Sequence, residues 1–343
     1  MNYLAGKRIL ITGASGFIGS FLVERALEEG MEVWAAVRRS SSHGYLTDPR
    51  IRFVELDLDN ETLLATQLQQ AGPWDFCVHA AGLTKSLRAE DFFRVNTEGT
   101  RHLVRQLLST QTLRGRFIFM SSLSVFGPVR EEFRSHEGHV YSPILDTDTP
   151  RPNTVYGFSK LAAEQALAEF SALDYVILRP TGVYGPREKD YFLMAKSIAQ
   201  HVDFGAGSLP QEITFIYVRD LVEATFLALT NGPSARGYFL TDGSVYDSAT
   251  FGRLLQTEMG VRFVLPIKAP LGLLKAICSV SEQIAQWRNK PTTLNTDKYH
   301  ILAQRNWQCD IAPARQLLGY QPHYSLVEGV KETVAWYKKN GWL

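Results

Sequence analysis

A tyrosine and a lysine four residues apart, in the run Tyr156-Gly-Phe-Ser-Lys160, share one face of a helix and can act on the same ligand. A free phenol has a pKa near ~10, but an ammonium a few ångströms away favours the phenolate. Tyr156 is therefore a candidate to donate or accept a proton at a substrate oxygen. The same spacing occurs on ordinary solvated helices, so the pair gains meaning only from what surrounds it. The apolar run Gly115-Arg-Phe-Ile-Phe-Met120 reads as a buried strand, and Ser121-Ser122 stand at its carboxyl end, where open parallel sheets place their ligands.

The element that must position this chemistry is legible at the N-terminus. Arg8-Ile-Leu-Ile-Thr12 reads as a short buried strand running into Gly13-Ala-Ser-Gly16-Phe-Ile-Gly19. Phe17 and Phe21, then Ile18, Leu22 and Ala26, recur at four-residue steps, and Gly30 stops the helix. Gly13 permits the tight turn, Gly16 lets backbone amides approach a pyrophosphate, and Gly19 allows close packing of helix on strand. The strand-turn-helix context gives the glycine pattern its weight. A second strand, Val33 to Val37, ends in Arg38-Arg39, with no acid before Asp48. A ribose 2′-hydroxyl wants a carboxylate at this point and a 2′-phosphate wants arginine. NADP(H) is therefore expected ahead of NAD(H), with Arg38 ahead of Arg39 as the phosphate contact; two plain surface charges are the bland alternative.

The GxxGxxG spacing is the form used by short-chain dehydrogenases/reductases, and the chain resembles their extended branch, the NAD-dependent epimerase/dehydratase family. The stations occur in order over nearly the whole length: Gly13 to Gly19, Asp57-Leu58, His79-Ala-Ala-Gly82, Val95-Asn96, Ser121-Ser122 with Val125-Phe-Gly127, Tyr156 to Lys160, Arg179-Pro180 through Tyr184-Gly-Pro186, and Val218-Arg-Asp220. The resemblance implies a doubly wound parallel α/β sheet of the Rossmann type with a smaller, discontinuous substrate lobe. Residues 1–180 form the first, with 214–242 returning to it; 181–213 and 243–343 form the second. It implies a cofactor set of Gly13, Ser15, Gly16, Phe17, Ile18, Gly19, Arg38, Arg39, Asp57, Leu58, Ala80, Ala81, Gly82, Asn96, Tyr156, Lys160, Pro180 and Val183. Asp57 would accept the adenine amino group. Asn96 is read at the start of a helix, as a cap or near the nicotinamide ribose, and His79 as a packed structural residue. Ser122, Tyr156 and Lys160 are the catalytic candidates: Ser122 holds the substrate oxygen, Tyr156 moves the proton, and Lys160 lowers the phenol and grips the ribose. Thr84, Lys85, Ser122, Ser124 and Arg187 are assigned to the substrate side. Phe126 stands where the family commonly has tyrosine.

Composition restricts the rest. At 343 residues and 45% hydrophobic the chain can build one large core, and a net charge of +1 argues against a nucleic-acid partner. Cys77, Cys278 and Cys309 are widely spaced, which points to no disulfide framework and no metal. The first strand begins within a few residues of Met1, so no signal sequence and a cytoplasmic location are expected. The apolar stretch 261–287 contains Pro266, Pro270, Lys268 and Lys275, which argue against a membrane span. A lid or substrate-pocket helix is its expected role, and attachment to a lipid surface the lesser one.

The expected partner is a small-molecule substrate, and the expected assembly a homodimer formed by helices near Asn96 and Tyr156, the latter continuing through Leu161, Ala162, Gln165, Ala166 and Phe170. Nucleotide-sugar epimerases of the family commonly carry an asparagine three residues after the position of Arg179, where this chain has Gly182, and an arginine where it has Ile213. A diphosphate would lose charge-assisted hydrogen bonds there, although Arg187, Lys189 and Lys85 are possible substitutes. Together with Arg179-Pro-Thr-Gly182 and the 261–287 stretch, this resembles the dihydroflavonol-reductase and 3β-hydroxysteroid-dehydrogenase side: a ketone or secondary-alcohol oxidoreductase. A nucleotide-sugar epimerase or dehydratase with tightly bound cofactor, and a non-catalytic NADP-binding sensor or scaffold, are the alternatives.

Overall fold

The computed structural model describes residues 2–132, 139–290 and 292–343. Its first part runs β1 (Arg8–Thr12), α1 (Phe17–Glu28), β2 (Glu32–Val37), β3 (Arg52–Glu55), α2 (Glu61–Ala71) and β4 (Phe76–His79). Then α3 (Ala89–Phe92) passes through a π-helical turn, Phe93–Glu98, into α4 (Gly99–Ser109), followed by β5 (Phe117–Met120). After the 3₁₀ turn Leu123–Val125 come α5 (Val155–Ala168), β6 (Tyr175–Pro180), β7 (Gly182–Tyr184), α6 (Asp190–Ala199) and β8 (Val202–Ala206). Next are β9 (Glu212–Ile213), β10 (Phe215–Tyr217), α7 (Val218–Thr230), β11 (Arg236–Leu240), β12 (Tyr246–Asp247) and α8 (Thr250–Met259). The chain closes with β13 (Leu265–Ala269), α9 (Leu271–Trp287), α10 (Thr296–Ala303), α11 (Ala312–Leu318) and α12 (Leu326–Lys339).

Seven strands form one parallel sheet in the order β11-β6-β5-β4-β1-β2-β3, the doubly wound Rossmann arrangement expected from the sequence. Period-two alternation explains the two cores. In β1, Ile9 and Ile11 join the layer that includes Val78 and Ile118, whereas Leu10 joins Cys77, Phe117 and Phe119 on the other face. Strand order reverses between β1 and β4, so a crevice opens beyond their carboxyl ends, the point at which such sheets bind ligands. The strand expected over residues 115–120 is shorter than expected, beginning at Phe117.

The 261–287 stretch is not one lid helix. Its first part forms β13, paired in parallel with β8, and only the part after Pro270 is helical. Among the described residues, no helix is long and apolar enough to cross a membrane and no group of three or more His, Cys, Asp or Glu could hold a metal.

Candidate active site

The glycine turn is built by exclusion. Gly13 has φ +68°, and a Cβ there would lie 2.7 Å from the backbone of Ala80 and Ala81; at Gly19 it would lie 2.0 Å from the carbonyl oxygen of Gly13. Side chains at these two positions would hold β1, α1 and the loop after β4 apart. Gly16 caps α1 with no side-chain acceptor, and the first turn holds no acid, so the amide ends of α1 face the crevice uncompensated. Ser15, Phe17 and Ile18 lie half-buried around this turn.

The floor of the crevice is set by a polar chain through His79, which is wholly buried. Thr100 donates its hydroxyl proton to the Asn96 carbonyl (2.7 Å), so it accepts from His79 Nε2 (2.9 Å), and His79 Nδ1 accepts from Thr12 Oγ1 (2.7 Å). Thr12 Oγ1 in turn accepts from the Ala81 amide at 3.2 Å. Burial, then the Lys160 charge, pushes the imidazole down to about 3, which keeps it neutral. His79 is structural: it holds Ala80-Ala81-Gly82 in place.

Asn96 does not begin a helix. It sits inside the π-helical turn of a run that starts at Ala89, fully buried, and its amide clasps the loop after β4: Oδ1 accepts from Leu83 N (2.7 Å), while Nδ2 donates to Leu83 O (3.0 Å) and Ser159 Oγ (2.9 Å). The wider turn aims a side chain inward that a regular helix would carry elsewhere. Asp57 is exposed beyond β3, and Leu58 packs beside Gly99. Arg38 and Arg39 are exposed just after β2, and neither guanidinium has a hydrogen bond or ion pair among the described residues. Pro180 is buried at the end of β6, and Val183 is half-buried in β7.

The candidate catalytic side chains come from two elements. Ser122 follows β5 in extended backbone, and its Oγ lies 3.2 Å from both the amide and the hydroxyl of Ser124. Helix α5 brings Tyr156 and Lys160. Burial pushes the Tyr156 phenol up to about 12, against a hydrogen bond with Ser122 that pulls it down. Ser122 and Tyr156 therefore stand next to each other. Lys160 differs from expectation: its ammonium donates to Met120 O at 2.8 Å and lies 4.6 Å from the Phe119 ring. Burial lowers it to about 8, with Glu164 opposing.

Two residues that sequence reasoning missed hold this helix. Asp297, at the start of α10, accepts from the amides of Val155 (2.9 Å) and Tyr156 (3.2 Å), beside the Thr154 cap on Gly157. Glu164 accepts from Ser121 Oγ (2.5 Å) and from Arg179 Nη2 (2.6 Å), tying the ends of β5 and β6 to α5. Phe126 is buried edge-on to Phe239 at 4.9 Å, with Arg179 over its ring, so its role is packing.

Of the residues expected on the substrate side, Ser122 and Ser124 are hydrogen-bonded to each other, and Thr84 is exposed after β4. Lys85 and Arg187 both have partners within the protein. Lys85 pairs with Asp190 and reaches Thr293. Arg187 bonds Ser20 (2.9 Å) and Glu24 (2.6 Å) on α1 and packs against Phe21 and Tyr45. A Cβ at Gly182 would fall 2.3 Å from the Tyr191 hydroxyl, so that ring fills the space where a side chain would project. Tyr191 belongs to an aromatic group with Tyr184, Phe215 and Phe251.

A doubly wound sheet, a glycine turn with uncompensated amides and a Ser-Tyr-Lys set beyond β5 define an extended short-chain dehydrogenase/reductase. The model of the NAD dependent epimerase/dehydratase family matches residues 9–240, and the chain belongs to that family. It is 28% identical over 340 residues to a ceramide reductase of Caulobacter vibrioides, covering 98% of this chain and 96% of that one. It is also 28% identical to a UDP-glucose 4-epimerase of Vibrio cholerae, covering 95% and 94%. A solved UDP-glucose 4-epimerase of Thermotoga maritima superposes with a TM-score of 0.75 at 22% identity, covering 97% of this chain and 99% of that one. The chain is thus an NAD(P)-dependent enzyme. The residues fit the dinucleotide: Gly13, Gly16 and Gly19 let the turn close against β1 and the loop after β4, and the α1 amides supply the charge, while a Cβ at Gly82 would meet Asn96 Oδ1 and Lys160 Nζ at 3.3 Å. When bound, the nicotinamide supplies the hydride acceptor or donor.

Proposed function

We propose that this chain is an NADP(H)-preferring oxidoreductase acting on a ketone or secondary alcohol of an apolar, lipid-like substrate. Ser122 holds the substrate oxygen, and Tyr156 gives or takes its proton. Lys160 holds the ribose and contributes positive charge near the phenol once the dinucleotide is in place. What carries the substrate reading is that two of the three candidate cations for a diphosphate are already engaged within the protein, while Lys189 stays exposed. Gly182 is backed by Tyr191, Ile213 packs against the core, and Lys85 and Arg187 are held by Asp190 and Glu24. Of the aromatic group only Tyr191 is half-buried; Tyr184, Phe215 and Phe251 are core, so Tyr191 is the apolar surface this group could offer a ligand. The similarity to a ceramide reductase is in keeping with this. The unpaired Arg38, with Arg39 beside it, supports the choice of NADP(H). We also propose a homodimer through α4 and α5. Phe93, in the π-helical turn before α4, and Phe158 on α5 are exposed at 39% and 49%, although Ala166 is buried within the subunit and cannot contribute.

The test is a screen of hydroxy-lipids, aryl ketones and sugar nucleotides with both cofactors, following reduced-nicotinamide absorbance and product isomerisation separately. Net oxidation of NADPH by an apolar ketone is expected. A sugar nucleotide isomerised without net cofactor turnover, or a preference above about tenfold for NADH, would overturn the corresponding part.

A further inference from the structure

Helix α9 has two apolar faces, and the protein uses only one. Leu274, Cys278 and Ala285 are buried. On the outer side Leu273, Ile277, Val280, Ile284 and Trp287 follow each other at steps of four, three, four and three, a stripe along one side of the helix. They are 55, 44, 55, 46 and 84% exposed. The preceding strand continues this character: Ile267 is paired with Phe204 of β8, which is 65% exposed, and Phe263 just before it is 66% exposed. A soluble surface seldom displays so many large apolar groups together without a partner.

The charge around the stripe selects the partner. Residues 262–290 carry Arg262, Lys268, Lys275, Arg288 and Lys290 against the single acid Glu282, a net +4 in a chain whose total is +1. All five cations are exposed. Glu282 is turned toward α10, where it accepts from Thr296 Oγ1 at 2.5 Å. Arg288 lies beside the stripe while Lys275 stands on the other side of the helix, so the segment as a whole is cationic; a second copy of it would bring like charge near like charge, whereas an anionic surface would complement it. The stripe from Leu273 to Trp287 is only ~21 Å long at 1.5 Å per residue, too short to cross a bilayer core of ~30 Å. It is suited to lying flat, with apolar side chains sunk below the headgroups, Trp287 at the interface and the lysine stems reaching outward.

We propose that α9 and the adjoining strand β13 dock this enzyme onto an anionic lipid bilayer. The reading stands apart from the substrate assignment, because binding is measured without turnover. Full-length protein is sedimented with vesicles rich in phosphatidylglycerol and with vesicles of phosphatidylcholine alone, at low and high salt. Binding to the anionic vesicles is expected, weakened ~10-fold or more without anionic lipid and weakened again by salt. Ile277→Ser with Ile284→Ser, and separately Lys275→Glu with Arg288→Glu, should each lower it ~10-fold or more, with NADPH affinity unchanged as the check on folding. Failure of the unmodified protein to bind anionic vesicles would overturn the proposal, as would binding that neither pair alters. Dissociation of an oligomer by the serine pair, with no vesicle binding, would assign the face to a second copy instead and equally overturn it.

Discussion

Strand β1 and helix α9 are both strongly apolar, yet Ile9, Leu10 and Ile11 have no exposure at all while Trp287 is 84% exposed. Around β1 the neighbouring polar groups are also closed into pairs, as in the Thr12–His79–Thr100 chain. Around α9 the strongest packing is against α10 alone. The difference teaches which part of the protein sets geometry and which part meets something outside it. The sheet lobe is a closed lattice in which a small displacement spreads, and the reacting groups are fastened to it. The 262–290 segment is fastened on one side and displays the other. The two meet at Asp297, which leaves α10 to hold the first amides of α5.

The sharpest way to break this comparison is at the point the closed lobe exists to position. Tyr156→Phe removes one hydroxyl and should lower turnover by ~10²–10⁴-fold, with NADPH affinity changed only a few-fold. The check is single-turnover hydride transfer alongside cofactor titration. Retention of more than about a tenth of the rate would show that the proton moves by another route.

A second, smaller effect tests the closed polar chain. The His79 imidazole is pushed down to about 3 in the folded protein, from 6.5. The unfolded chain therefore binds the extra proton first. The contribution of His79 is complete above pH 6.5 and is lost as pH falls toward 3, at up to ~1.4 kcal/mol per pH unit. Urea unfolding between pH 7 and 5 should show this loss, and His79→Asn should flatten that part of the slope. An unchanged slope would mean that the ring is not held neutral.

Local rules made much of this legible. Gly13 and Gly19 could be read because a glycine's need for space depends on chain neighbours and on one packed helix. The Tyr156–Lys160 pair could be read because helical spacing is periodic. What was not legible came from distant residues. Asp297 is 141 residues from Tyr156 in sequence, and no local pattern links them. The Arg187 side chain looks free for a ligand until α1 supplies Glu24. Spacing and the resemblance together place Lys160 near the phenol, but neither announces that its buried ammonium donates to the Met120 carbonyl at the end of β5. The inward turn of Asn96 depends on a π-helical insertion, which periodicity does not announce.

Asp297 allows the junction itself to be tested. Asp297→Ala leaves the amides of Val155 and Tyr156 without their acceptor and should cost ~1–2 kcal/mol of stability, as the loss of a helix N-terminal acceptor does. Because Tyr156 lies in the first turn, turnover should fall roughly tenfold while cofactor affinity holds. Asp297→Asn keeps one acceptor oxygen and should restore part of both. An alanine variant with normal turnover would show that the C-terminal segment does not position the phenol.

The smallest effect is expected on the outer face of α9, and its smallness is the informative part. Serine and isoleucine have similar helix propensities, and Ile277 is 44% exposed, so Ile277→Ser removes little contact and should shift stability by no more than ~0.5–1 kcal/mol in urea unfolding. A loss above ~2 kcal/mol is the mark of a buried aliphatic side chain. It would mean that the face is covered in solution by the protein itself or by another copy, and the contrast with β1 would disappear. If the cost is small, these apolar side chains do nothing for the fold that a hydroxyl could not, and what they contribute must be sought in what lies against them.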